Sequence, residues 1–152
     1  MELIGRMFNA FRVARDEKIT HLERVPLFED CSLRQLRAVA DISTVVEVPE
    51  RTVLTRAGEP GDEFFVIIDG RALVTLSPKK RNRMHPGEFF GEMSLIDGGP
   101  RSATVEAETD LRLLVIDSTH FWRLLREVPG LTEKMLVTLS RRVRLREKPR
   151  SG

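Results

Sequence analysis

The sequence predicts an α+β domain, because helical periodicity at both ends flanks a block of short β-rich runs separated by turn signals. The runs are Val45 to Val48, Thr52 to Leu54, Phe64 to Ile68, Ala72 to Leu76, Thr104 to Ala107 and Leu111 to Ile116. Turn signals lie at Pro49-Glu50, Gly58-Glu59-Pro60-Gly61, Asp69-Gly70, Pro86-Gly87 and Gly98-Gly99-Pro100. Short strands at this spacing fit a sandwich or a jelly-roll barrel, and helices before and after the block exclude an alternating parallel α/β sheet.

Each helical element has its own signal. Leu3, Met7, Phe8, Phe11 and Ala14 recur on one face between arginines, which predicts an amphipathic helix over residues 1 to about 22. Its apolar face is expected to lie on its own domain. Ser32 is placed to cap a second helix through Leu33, Leu36, Val39 and Ala40. Asp117-Ser118 caps a third, carrying Phe121, Trp122, Leu124 and Leu125, with Trp122 expected in the core. Pro129-Gly130 breaks it, and a last helix runs from about Leu131 to Glu147. The boundaries expected are an N-terminal helical segment over 1–24, a domain over 25–148 and a tail over 149–152.

At 152 residues the chain suits one domain with a real core, and a separate output domain is not expected. Hydrophobic residues at 41% and a net charge of only +2 exclude a disordered chain and a chain-wide polycation. Basic residues cluster only at the C-terminal end, from Arg141 to Arg150, and read as a solvated helix face, so no nucleic acid is expected as partner. Cys31 is the single cysteine, no apolar run reaches the roughly 20 residues of a membrane span, and the N-terminus lacks a signal-peptide pattern. The cytoplasm is therefore the expected compartment.

The chemistry concentrates between Phe89 and Val105. Phe90-Gly91-Glu92-Met93-Ser94-Leu95 and Arg101-Ser102-Ala103-Thr104-Val105 set a carboxylate and a guanidinium on either side of a glycine-rich, helical turn. Arg101 offers a planar fork of donors to two phosphate oxygens, and N–H groups at the start of the turn add to it. Gly91 lets a ligand approach the backbone, and ionised Glu92, which only accepts hydrogen bonds, suits a sugar hydroxyl. The result is a cradle for a small anion that carries a hydroxyl.

This stretch resembles the phosphate-binding cassette of the cyclic nucleotide-binding domains found in catabolite activator proteins, protein kinase A regulatory subunits and gated channels. A second motif of that family is similar to Gly58 to Gly70, with glycine turns on either side of a buried strand. Thr55 departs from the pattern at a place usually aliphatic, read as a barrel position away from the site. The resemblance covers roughly Val25 to Glu147 and implies an antiparallel jelly-roll barrel with flanking N- and C-terminal helices. It implies that Glu92 accepts from a ribose 2′-OH, that Arg101 binds the cyclic phosphate, and that Gly91, Met93 and Ser94 add backbone contacts. Ser102 and Ala103 then lie beside the phosphate and base, and serine at 102, where cGMP-preferring members often carry threonine, points to cAMP over cGMP. Placement of the last helix against the family puts Val143, Arg146 and Glu147 near the base.

Enzymatic readings lack support in the sequence. Glu92, Asp97, His85 and His120 are acid–base residue types, but no nucleophile elbow, phosphate loop or paired-carboxylate signature accompanies them. His21, His85 and His120 lack metal-ligand spacing, so no catalytic residue, metal or cofactor is expected beyond the nucleotide ligand. The expected protein is a stand-alone regulatory domain that relays binding through its C-terminal helices to a separate effector; the alternative is a module that keeps the fold and has lost the ligand. Leu136, Leu139 and Val143 form an apolar seam suited to core packing or to a homodimer through the last helix.

Overall fold

The structure, a computed structural model, describes residues 9–11 and 14–147. In chain order the elements are β1 (Asn9–Phe11), α1 (Arg15–Glu23), a 3-10 turn (Pro26–Phe28), α2 (Leu33–Ile42), β2 (Thr44–Val48), β3 (Val53–Thr55), β4 (Glu63–Asp69), β5 (Ala72–Ser77), β6 (Lys80–Met84), β7 (Phe89–Phe90), α3 (Glu92–Asp97), β8 (Thr104–Ala107), β9 (Leu111–Asp117), α4 (Ser118–Glu127) and α5 (Pro129–Glu147). The strands make two antiparallel sheets, ordered β1-β2-β9-β4-β7 and β3-β8-β5-β6. The expectation of antiparallel sheets with flanking helices is met. Among the described residues no ladder joins one sheet to the other, so closure into a barrel is not seen.

The five-stranded sheet is buried on both faces, which explains why β4 reads as an unbroken apolar run and not as an alternation. Phe65 and Ile67 of β4 face Leu54, Val105 and Ala107 of the other sheet. Phe64 and Val66 point the opposite way, into a second cluster with Leu22, Phe28, Val39, Phe121 and Leu131 of the helical layer. Two phenylalanines stack across the β4–β7 pair, Phe65 on Phe90 with ring centroids 4.7 Å apart. This stack fixes the backbone that leads into the glycine-rich turn.

Local signals account for most boundaries. Ser32 and Gln35 form a reciprocal capping box at α2, with Gln35 N–H donating to Ser32 Oγ at 3.1 Å and Ser32 N–H to Gln35 Oε1 at 2.9 Å. Asp117 accepts from His120 N–H at 3.0 Å at the start of α4. Helix α5 begins at Pro129, where a missing N–H is harmless to a helix. Its first half is anchored by buried Leu131 and Met135, and Lys134 bridges to Asp30 at 3.0 Å. Beyond Met135 it leaves Leu136, Val137, Val143 and Leu145 exposed.

Three sequence expectations are corrected. The N-terminal helix does not extend over residues 1–22: Asn9–Phe11 is a strand on the free edge of β2, and helix begins only at Arg15, where Ile19 and Leu22 enter the core. Leu3, Met7 and Phe8 lie outside the described residues. Trp122 is not a core residue, being 39% exposed; its ring lies edge-to-face with Phe121, and its indole N–H is satisfied by donating to the Leu95 carbonyl at 3.1 Å. Leu136 and Val143 are not packed in the core, and only Leu139 of the predicted seam rests against it.

Candidate functional site

The β4–β7 pair delivers the chain to Gly91, which caps α3 with φ of 92°. A Cβ at Gly91 would lie 2.7 Å from the Glu63 carbonyl oxygen and 3.0 Å from Arg101 Nη1, so glycine is required by the backbone angle and by the space. Helix α3 then buries Glu92, Ser94 and Leu95 and leaves Met93 and Ile96 exposed on its rim. It ends at Gly98, also left-handed, whose N–H donates to Ser94 O at 3.0 Å.

Arg101 returns the chain to the same place. Its backbone is held between Gly58 and Glu59, with Arg101 N–H donating to Glu59 O at 2.8 Å and Gly58 N–H to Arg101 O at 2.9 Å. The turn at Gly58 to Gly61 thus positions the cassette as a second backbone support, and a side chain at Gly61 would collide with the Arg101 guanidinium. Arg101 Nη1 donates to Gly91 O at 3.0 Å and Nη2 to Glu63 O at 3.1 Å. The Glu63 carboxylate lies 3.5 Å away, and the Phe65 ring centroid lies 5.8 Å from the guanidinium carbon. Burial pushes Arg101 below the usual guanidinium range, against Glu63, Asp62 and Glu92, which favour its charge.

Glu92 is 3% exposed and its Oε1 accepts from Arg142 Nη1 at 3.0 Å. Arg142 belongs to α5; its Nη2 donates to the Phe89 carbonyl at 2.6 Å and its guanidinium lies 4.5 Å from the Phe89 ring centroid. Burial raises the Glu92 carboxyl above the usual range, and Arg142 opposes that rise.

Between these groups lies a cavity of about 1160 Å³. Gly91, Glu92, Met93, Ser94, Arg101, Ser102 and Ala103 all line it, so the structure brings together every cassette residue singled out in the sequence. Leu73, Val74 and Val105 give it an apolar wall, and Leu139 and Val143 line it from α5. Of the three residues expected near the base, Val143 lines the cavity, and the side chains of Arg146 and Glu147 lie outside the described residues. Among the described residues no group of His, Cys, Asp and Glu could hold a metal ion, and no helix is long and apolar enough to cross a membrane.

Sequence reasoning missed three contributors. Arg142 read as part of a solvated basic face, although its place three residues after Leu139 puts it on the side of α5 that meets the site. Glu63 carried no local signal. Thr55 is not remote from the site: it lines the cavity, is buried, and donates from Oγ1 to Ala103 O at 2.9 Å, which satisfies a hydroxyl that burial would otherwise penalise.

An arginine and a glutamate, both buried at the wall of one half-apolar cavity, define a small-ligand-binding domain. The family model for the cyclic nucleotide-binding domain matches residues 45–128, and the chain belongs to that family. It is 38% identical over 72% of its length to a cyclic nucleotide-gated potassium channel of Mesorhizobium japonicum, covering 30% of that protein. It is 31% identical over 74% of its length to a cAMP-dependent protein kinase regulatory subunit of Colletotrichum orbiculare, covering 29% of it. The chain thus spans about a third of the length of these curated relatives. A crystal structure of a cyclic nucleotide-binding domain from Methylobacillus flagellatus superposes with a TM-score of 0.72 at 26% identity, over 97% of this chain and 88% of that one.

Proposed function

We propose that this domain binds cAMP, in preference to cGMP, in the cavity between Glu92 and Arg101 and carries the binding signal to α4 and α5 without turning the nucleotide over. The observation that carries the reading is the convergence of Glu92 and Arg101, buried and of opposite charge, on one cavity that also has an apolar wall. The arginine end suits the cyclic phosphate, the carboxylate suits the ribose 2′-OH, and the wall of Leu73, Val74 and Val105 suits the base. Gly91, Met93, Ser94, Ser102 and Ala103 supply close backbone approach on either side.

The relay has a physical route. Trp122 of α4 donates to the Leu95 carbonyl of α3, and Arg142 of α5 holds Glu92. A nucleotide hydroxyl that donates to Glu92 shares that carboxylate with Arg142, and the shared contact is the route by which binding reseats α5, whose exposed Leu136 and Val143 are the surface an effector or a second copy would meet.

The reading of a domain that keeps the fold without the ligand rests on one observation, that Glu92 and Arg101 already have protein partners in Arg142 and Glu63. Calorimetric titration with cAMP and cGMP separates the two. Saturable one-to-one binding, tighter for cAMP, lost in Arg101→Ala and accompanied by no conversion of the nucleotide, supports the first; no heat with either nucleotide supports the second.

A further inference from the structure

Arg101 already has an anion of its own. The Glu63 carboxylate, on the first residue of β4, lies 3.5 Å from Arg101 Nη2, and the two side chains are 7% and 5% exposed. The guanidinium is also pinned to the Glu63 and Gly91 carbonyls, so it cannot leave Glu63 without breaking backbone contacts. A carboxylate so far from water keeps its charge only beside a cation.

Its acidic neighbours do not supply that cation. Asp62 precedes it, and Asp117 is its register partner across the β4–β9 ladder. Asp117 is committed to His120 at 2.9 Å, and Glu92, beyond Arg101, is held by Arg142. Burial first and Asp62 second hold the Glu63 carboxyl above the usual range, with Arg101 opposing them.

On the reading that a cyclic phosphate binds at Arg101, two anions must then share one buried guanidinium. We propose that Glu63 is the resident counter-anion that positions Arg101 in the ligand-free protein, and that Glu63 takes a proton from solvent as the nucleotide phosphate takes over the arginine. Phosphate and carboxylate repel across the same cation, and neutralising the carboxylate removes the repulsion. Linkage makes the effect reciprocal: if nucleotide favours protonated Glu63, protonation favours nucleotide by the same factor. Affinity therefore rises as pH falls. Glu63 is a positioning residue that makes the site sensitive to pH through a group no ligand atom need touch.

The test is calorimetric titration of the intact chain with cAMP in two buffers of different ionisation heat, repeated between about pH 8 and pH 6. The expected result is uptake of a fraction of one proton per site, with affinity rising several-fold across that range. In Glu63→Gln, which keeps the side-chain shape and one accepting oxygen, uptake disappears, the pH profile flattens, and affinity at neutral pH is at least that of the parent. Binding without proton uptake in the parent, a measurement that needs no variant, overturns the proposal and leaves the nucleotide reading intact. Equal uptake in Glu63→Gln assigns the proton elsewhere and also overturns it. No binding of either nucleotide overturns both.

Discussion

Arg142 and Glu92 lie 50 residues apart in sequence and 3.0 Å apart in space. The pair fastens α5 against the cavity beyond Met135, where Leu136, Val143 and Leu145 are exposed and hold it weakly. Removing Arg142 leaves a buried carboxylate without its nearest cation. Arg142→Ala is expected to lower stability by about 1–3 kcal/mol and to speed amide hydrogen exchange over residues 136–147, with residues 129–135 unchanged. Uniform protection along α5 in the variant would show that Arg142 does not fasten the helix.

Gly91 sits where backbone and space both demand glycine, so Gly91→Ala is expected to cost about 2 kcal/mol or more and to abolish nucleotide binding. Thermal unfolding and titration measure the two effects. A variant as stable as the parent would mean that α3 can start without the left-handed residue.

Glu63 and Glu92 each add a pH-dependent contribution to the stability of the ligand-free protein. Both carboxyls are raised above the usual range by burial, so the unfolded chain releases these protons more readily than the folded one. Their contribution to stability is fully present below the ordinary carboxylate range and is lost as pH rises through the raised folded values. Denaturant unfolding is therefore expected to show stability declining from mildly acid to neutral pH, with a shallower decline in Glu63→Gln and in Glu92→Gln. A decline of unchanged steepness in both variants would remove these carboxyls from the account.

Trp122 is the only tryptophan, and its indole N–H is bonded to the carbonyl of Leu95 in α3. Its fluorescence is expected to shift on addition of cAMP and to stay constant in Arg101→Ala. Constant emission in a parent chain that binds cAMP would break the proposed route from cassette to α4.

The cassette was legible because its residues are local: Gly91, Glu92 and Arg101 fall within a dozen positions and carry chemistry that few other patterns require. Strands β2, β4, β8 and β9 were legible because both faces or one full face is apolar. Strand β6 was not, since Lys80, Arg81, Asn82 and Arg83 are all exposed on a sheet edge and present no apolar period. Strand β1 escaped because its backbone answers to the edge of β2 and not to its own sequence. Arg142 and Glu63 escaped for a related reason: their contacts to the cassette cross 50 and 38 residues, a distance over which spacing carries no information.

The central claim is that a ribose hydroxyl meets Glu92, and a cycle of cAMP and 2′-deoxy-cAMP against the parent and Glu92→Ala tests it most directly. The parent is predicted to lose about 10- to 100-fold in affinity on removal of the hydroxyl, the worth of a hydrogen bond to a charged group, and Glu92→Ala is predicted to bind both ligands equally. Equal affinity of the parent for both ligands, or the same loss in Glu92→Ala, would contradict the placement of the nucleotide in this cavity.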